Sequence, residues 1–335
     1  MTQLTDSRPT EPPRVFRVLD WVLDRSVVLG YSRIGHAVRR RWWDDDVPAG
    51  MLKGRHVLIT GATSGIGLAA AAALGRLGAV VHVLGHDRDH LERSLERLRV
   101  EVPDGDYVSE VCDISDLEDV RRFGHDLAQR VTDLHALVHN AGTMARERTE
   151  TAEGHEVTVA THVLGPFLLT HLLHEPLAHG DGGRVVFTSS GGMYAAALRD
   201  DDPDYGEDGY SGPKAYARTK RMQVVLAETL AERLAGDRIV VHSMHPGWVD
   251  TRGVSRYLTV FRAATLPFMR SPDQGADTLV WLVASPRGAQ QSGSFWHDRR
   301  PRPTSYGRAR QQTPTQVARL WEYCTEATRD SKGSP

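Results

Sequence analysis

The chain has 335 residues and 37.1 kDa, is 40% hydrophobic and 25% charged, and carries a net charge of −2 with a pI near 6.8. This ordinary globular composition has no basic footprint for nucleic acid, and no apolar run reaches the ~18–20 residues of a membrane-spanning helix. Two cysteines, Cys112 and Cys324, make no disulfide framework and read as small buried apolar residues, and the polar, Pro-rich start lacks a signal peptide, so a cytoplasmic protein is expected.

In chain order, Met1 to about Arg14 reads as a disordered tail. From Val15 to Trp43, Val15, Leu19, Val22 and Phe16, Leu23, Val27 recur at three- and four-residue steps, which predicts an amphipathic helix. It closes on Arg39, Arg40, Arg41, Trp42 and Trp43, a mixture suited to a membrane interface. Asp44, Asp45 and Asp46 would be repelled by an anionic surface, so the expected contact is the body of the protein or a second subunit. Strands are then predicted at His56–Thr60 (HVLIT), Val80–Leu84, Tyr107–Cys112, Leu134–His139, from Arg184 (RVVFTS) and at Arg238–Met244, with SGSFW as a last candidate. Between them lie helical patterns at Gly65–Leu77, Arg88–Arg99, Asp116–Val131, a long one through Leu169, Tyr216–Leu234 and Asp273–Ala284. A final helix starts with Thr313 as N-cap, Pro314 in first position and Gln316 three on. Strands alternating with helices predict an α/β fold, a doubly wound parallel sheet covered on both faces. The expected organisation is an extension over 1–50, a catalytic domain over 51–300 and a C-terminal extension over 301–335.

Between the first strand and its helix runs TGATSGIG, Thr60 to Gly67. Gly61, Gly65 and Gly67 permit a tight turn and close approach of a pyrophosphate, which the helix N-terminus would attract. An NAD site would place an acid where the second strand ends. Here Gly85, His86, Asp87 and Arg88 stand there, so NADP is favoured over NAD, with Asp87 able to argue the other way if it turns inward.

TGATSGIG, HNAG (His139–Gly142), TSSG (Thr188–Gly191), YARTK (Tyr216–Lys220) and HPGWVDT (His245–Thr251) resemble, in this order, the short-chain dehydrogenase/reductase (SDR) family, over roughly Leu52 to Trp296. SSGGM, KRMQVVL, SMHPGWVDTRGV and QGADT are similar to its SDR family member 12-like branch. The resemblance implies a Rossmann-like, three-layer α/β/α fold that binds NAD(P), with Gly61, Ser64, Gly65, Ile66 and Gly67 at the phosphates. It implies Asp113 and Ile114 near the adenine, Asn140, Ala141 and Gly142 beside the ribose, and Pro246, Gly247, Val249 and Thr251 at the nicotinamide end. It further implies Ser190 as binder of the substrate oxygen, Tyr216 as proton donor or acceptor and Lys220 as ribose ligand. The family's asparagine three residues before a glycine is His162 here, in ATHVLG. That histidine can carry an altered proton relay, mark a lost one, or merely satisfy a polar neighbour.

The residues support this chemistry. A free phenol, with a pKa of about 10, is a poor base near neutrality, and a cation four residues away on one helix face favours its ionised form. Ser190 can hold a substrate oxygen, with Ser189 as rival. Ser190 and Tyr216 flank an insert carrying Asp200, Asp201, Asp202, Asp204, Glu207 and Asp208, which reads as a solvated loop. The apolar stretch RGVSRYLTVFRAATLPFMR and, alternatively to core roles, Met144 and Met193 suggest a hydrophobic carbonyl or alcohol substrate. No metal site is expected, and a homo-oligomer is possible. The rival function is a nucleotide-binding scaffold with little catalysis, recruited to a partner or membrane through the N-terminal segment.

Overall fold

The computed structural model describes residues 14–43, 46–206, 209–250, 265–307 and 310–329. In strand β1 (His56–Thr60), Val57 and Ile59 enter one core and Leu58 enters the other, and all three are fully buried. Burial on both faces is what a parallel sheet covered by helices requires. With β2 (Val80–Gly85), β3 (Asp106–Val111), β4 (Leu134–His139), β5 (Arg184–Thr188), β6 (Val240–Met244), β7 (Phe295–His297) and β8 (Arg300–Arg302), the sheet order is β3-β2-β1-β4-β5-β6-β7-β8. Only β8 is antiparallel to its neighbour. The order reverses between β1 and β4, and the crevice beyond their carboxyl ends is where doubly wound sheets take ligands.

The predicted N-terminal helix is three helices, α1 (Arg14–Arg25), α2 (Val27–Tyr31) and α3 (Arg33–Arg39). Ser26 and Ser32 break it, because each hydroxyl caps the helix that follows, accepting at 3.3 Å from Leu29 N and at 3.3 Å from Ile34 N. The extension does pack on the body, but α1 buries Leu23, Asp20 and Asp24 while Val15, Val18, Trp21 and Val22 face outward.

Helices α4 (Gly65–Arg76) and α5 (Arg88–Glu101) cover one face of the sheet, and α6 (Leu117–Arg130) the other. The expected long helix does not follow β4 directly: a loop over 140–156 precedes α7 (Val157–Val159), a π-helical turn (Ala160–Leu164) and α8 (Gly165–Leu172), after which comes α9 (His174–Ala178). Helix α10 (Gly212–Arg233) begins four residues before the predicted start at Tyr216, with Ser211 as N-cap and Pro213 in the first turn, where its missing N–H does no harm. Helix α11 (Pro272–Ala284) packs against α4. Helix α12 (Pro314–Ala327) opens with the predicted Thr313–Gln316 capping box and buries Leu320 and Cys324 against the face lined by α10. Both cysteines are free and buried, as the sequence suggests.

Three acids of the insert, Asp200, Asp202 and Asp204, are engaged rather than solvated, while Asp201 is exposed and pairs with Arg199 at 2.9 Å. Asp204 accepts from Tyr323 Oη at 2.7 Å and from the Glu156 amide at 3.0 Å, Asp200 from Gln316 Nε2 at 2.9 Å, and Asp202 from Arg218 at 3.0 Å. The carboxylates tie the insert to α12 and α10. Glu207 and Asp208 lie outside the described residues.

Candidate active site

The phosphate loop joins β1 to α4 in a shape that admits no side chains at two positions. Gly61 has φ +65°, and a Cβ there would stand 2.7 Å from Ala141 Cα; one on Gly67 would meet Gly61 O at 2.4 Å. Asn140 fastens the loop, donating from Nδ2 to Thr60 O at 3.2 Å and Gly61 O at 3.1 Å, while Thr60 Oγ1 accepts the Asn140 and Ala141 amides, each at 3.0 Å. Ser64, the N-cap of α4, makes no side-chain cap hydrogen bond. The close-packed glycines and the uncapped first turn of α4 fit a dinucleotide's pyrophosphate. Ile66 and Val249 pack together against the first turn of α11, at the place a Cβ on Gly275 would fill. Gly65 opens α4. Asp113 accepts from Ser115 N at 2.9 Å and Oγ at 2.7 Å and is exposed, whereas Ile114 is buried in the core. At the end of β2, Asp87 turns to cap α5, accepting from His90 N at 2.7 Å.

Tyr216 and Lys220 stand one turn apart on α10, with the Lys220 ammonium 5.4 Å from the centre of the phenol ring. Lys220 is buried and donates to Thr188 O at 2.9 Å and Gln223 Oε1 at 3.0 Å. Burial pulls its pKa down to about 7. The two serines after β5 point different ways. Ser189 is buried and donates to Lys220 O at 2.9 Å, while Ser190 Oγ accepts from Gly192 N at 3.1 Å and stands near the Tyr216 phenol. Burial raises the pKa of that phenol and the nearby Ser190 hydroxyl opposes the rise, so the phenol holds its proton at neutral pH.

His162 sits in the π-helical turn, a local geometry frequent at functional sites. Both ring nitrogens are committed. Thr219 Oγ1 donates to Tyr216 O at 3.0 Å, so it accepts Nδ1–H of His162 at 2.8 Å, and Nε2 accepts the Thr143 amide at 3.0 Å. Burial, then the charge of Lys220, push the pKa far below the usual imidazole range. The ring thus links the loop after β4 to α10 in its neutral form. It meets Tyr216 edge-on, with centroids 5.5 Å apart. Gln223, which sequence reasoning passed over, donates to His162 O at 2.9 Å and accepts from Lys220. It lies three residues after Lys220, so helical spacing alone placed it beside the lysine.

On the far side, His245 Nδ1 accepts from Gly191 N at 3.0 Å and Gly247 N at 3.2 Å, tying the loop after Ser190 to the HPG turn. Pro246 O accepts from Arg270 at 3.2 Å, and Gly247 lies against the same guanidinium. Gly142 lies against His162. Met193 is buried with Val224 and Phe295 and is a core residue. Thr251 and residues 252–264 of the apolar stretch lie outside the described residues.

A doubly wound sheet with a glycine-lined phosphate cradle, and a serine, tyrosine and lysine converging beyond its strands, defines a nicotinamide-dependent oxidoreductase. The family model described as short chain dehydrogenase matches residues 55–258. The chain is 35% identical over 305 residues to dehydrogenase/reductase SDR family member 12 of Bos taurus, covering 90% of this chain and 95% of that one. Retinol dehydrogenase 14 of Mus musculus is 33% identical over 266 residues, covering 74% and 79%. A crystal structure of a protein from Mycobacterium paratuberculosis, 27% identical, matches with a TM-score of 0.67 over 84% of this chain and 96% of that one. The chain belongs to the short-chain dehydrogenase/reductase family and is an NAD(P)-dependent oxidoreductase.

Proposed function

We propose that the protein interconverts an apolar carbonyl compound and its alcohol using NADP, with Tyr216 as the proton donor in reduction. The observation that carries this reading is the convergence of Ser190, Tyr216 and Lys220, with Ser189 turned away to the backbone of α10. The nicotinamide ring, when bound, supplies or accepts the hydride. Ser190 then holds the substrate oxygen beside the phenol, and the protonated phenol delivers its hydrogen as charge develops on that oxygen. Lys220, with one donor on Thr188 O and one on Gln223, has its third N–H for the ribose. In oxidation the Lys220 charge favours the phenolate that must take the proton up.

NADP is supported by β2 ending on Gly85 and by Asp87 capping α5, which leaves no carboxylate committed to a ribose 2′-hydroxyl, and by Arg88 at the exposed start of α5. An apolar substrate is supported by the apolar composition after Thr251 and by the name of the retinol dehydrogenase relative. The test is Tyr216→Phe, assayed with NADPH against a panel of apolar aldehydes and ketones. Turnover should fall by about 10²–10⁴-fold while NADPH binding, followed by fluorescence, is unchanged. Undiminished turnover would remove Tyr216 from the reaction.

A further inference from the structure

Helix α1 is docked with its polar side inward. Its carboxylates are the only acids between Arg14 and Trp43, and both are buried in the body. Asp20 accepts from Arg39 Nε at 2.8 Å and from both terminal nitrogens of Arg302 at 2.9 Å; Asp24 accepts from Tyr306 Oη at 2.6 Å. The opposite side carries Val15, Val18 and Trp21 at 75%, 64% and 59% exposure, with Leu19 and Val22 beside them. Leu29 and Ile34 continue the exposed apolar surface on α2 and α3. Leu266 and Phe268, also exposed, lie just before Arg270, whose guanidinium is held by Gly30 O and Ser32 O of the extension. Most of the exposed large apolar side chains among the described residues are therefore gathered on and beside one short extension.

The charges of this surface have one sign. Arg17, Arg25, Arg33, Arg40 and Arg41 are exposed, and Arg25 lies over the Trp21 ring at 5.3 Å. With both acids of α1 withdrawn into the body, the described residues of α1–α3 show water only apolar groups, polar groups and guanidinium. Of Asp44, Asp45 and Asp46, which the sequence set against an anionic surface, Asp46 is exposed and paired with Arg299 at 2.9 Å, and Asp44 and Asp45 lie outside the described residues. Apolar residues and tryptophan mixed with arginine match the boundary between lipid headgroups and acyl chains. A second copy of the chain would bring the same arginines against these and be repelled.

We propose that the outer face of α1–α3 docks the enzyme peripherally on an anionic lipid bilayer. Docking is peripheral because no helix among the described residues is long and apolar enough to cross a membrane. The binding does not depend on the catalytic reading, so it is measured without turnover. The full chain is floated with vesicles of phosphatidylcholine alone and of phosphatidylcholine with phosphatidylserine. Expected is at least about tenfold more protein on the anionic vesicles, weakened by high salt. Val18→Asp combined with Val22→Asp should abolish the recruitment with circular dichroism and thermal melting unchanged, since both side chains face solvent. Equal or negligible binding to the two vesicle types overturns the proposal. So does a dimer, seen by light scattering, that these substitutions dissociate without any vesicle binding, which would give the face to a second copy.

Discussion

Gln223 is one side chain that holds two parts of the site in place. Its amide nitrogen satisfies the carbonyl of His162 and its oxygen takes a proton of Lys220, both in a buried setting. Gln223→Ala leaves two buried polar groups without their partner and should cost about 2–4 kcal/mol in urea denaturation. Gln223→Glu puts a carboxylate beside Lys220 and should raise the ammonium from about 7, moving the pH dependence of NADPH binding upward. An unshifted profile would mean that Gln223 does not govern the lysine. At this scale Tyr216, Lys220 and the serine pair were legible, because their roles depend on spacing along one helix or strand end. The choice of Ser190 over Ser189 came only with the family resemblance, and the state of His162 was not legible. Both depend on which neighbour each polar atom meets across the fold, in one case Lys220 O and in the other Thr219 and Thr143.

At the scale of elements, the N-terminal extension is pinned by a buried ion network rather than by an apolar face. Arg39, fully buried, donates to Asp20 at 2.8 Å and Asp298 at 2.9 Å, and Arg270 joins Asp298 from the other side at 2.6 Å. Burial alone would raise the Asp298 carboxyl; Arg270 and Arg39 outweigh it and hold it well below the carboxylate range. Asp298 and Arg299 turn β7 into β8 with φ of 52° and 56°, the left-handed conformation of a tight hairpin turn that usually takes Asn-Gly or Asp-Gly. The ion pairs of Asp298, and those of Arg299 with Asp277 and Asp46, hold that turn without a glycine. Arg39→Ala should therefore cost about 3–5 kcal/mol in chemical denaturation, because it strips a partner from two buried carboxylates. Arg76→Ala, which removes a half-exposed pair with Glu101, should stay within about 1 kcal/mol. Equal costs would contradict the network. Helical periodicity announced the extension but could not say which side of α1 faces in, since that is decided by Arg39, Arg270 and Arg302, distant in sequence. Strand β8 escaped notice because three residues, Arg-Pro-Arg, carry no alternation.

For the whole molecule, buried neutral histidines set the response to acid. Burial pushes His139 and His297 down to about 3 and His242 to about 4, and His162 and His245 also lie well below their usual range. Below about 6.5 the unfolded chain binds protons that the folded chain refuses, so stability falls as pH drops. Each such histidine contributes a slope of up to about 1.4 kcal/mol per pH unit until its folded pKa is reached. Calorimetry should show Tm falling steadily from pH 7 to pH 5; a flat Tm over that range would show that these imidazoles are not held neutral by the fold. The sequence by itself determined the doubly wound sheet, the phosphate loop and the tyrosine–lysine face, because strand and helix periods and short motifs are local. Only the tertiary structure decided the partners: the neutral His162, the Gln223 bridge, the acids that tie down the insert, and the outward apolar face of α1. Those depend on contacts between residues far apart in the chain, where a buried charge or polar atom must find its complement and the packing alone determines which one it meets.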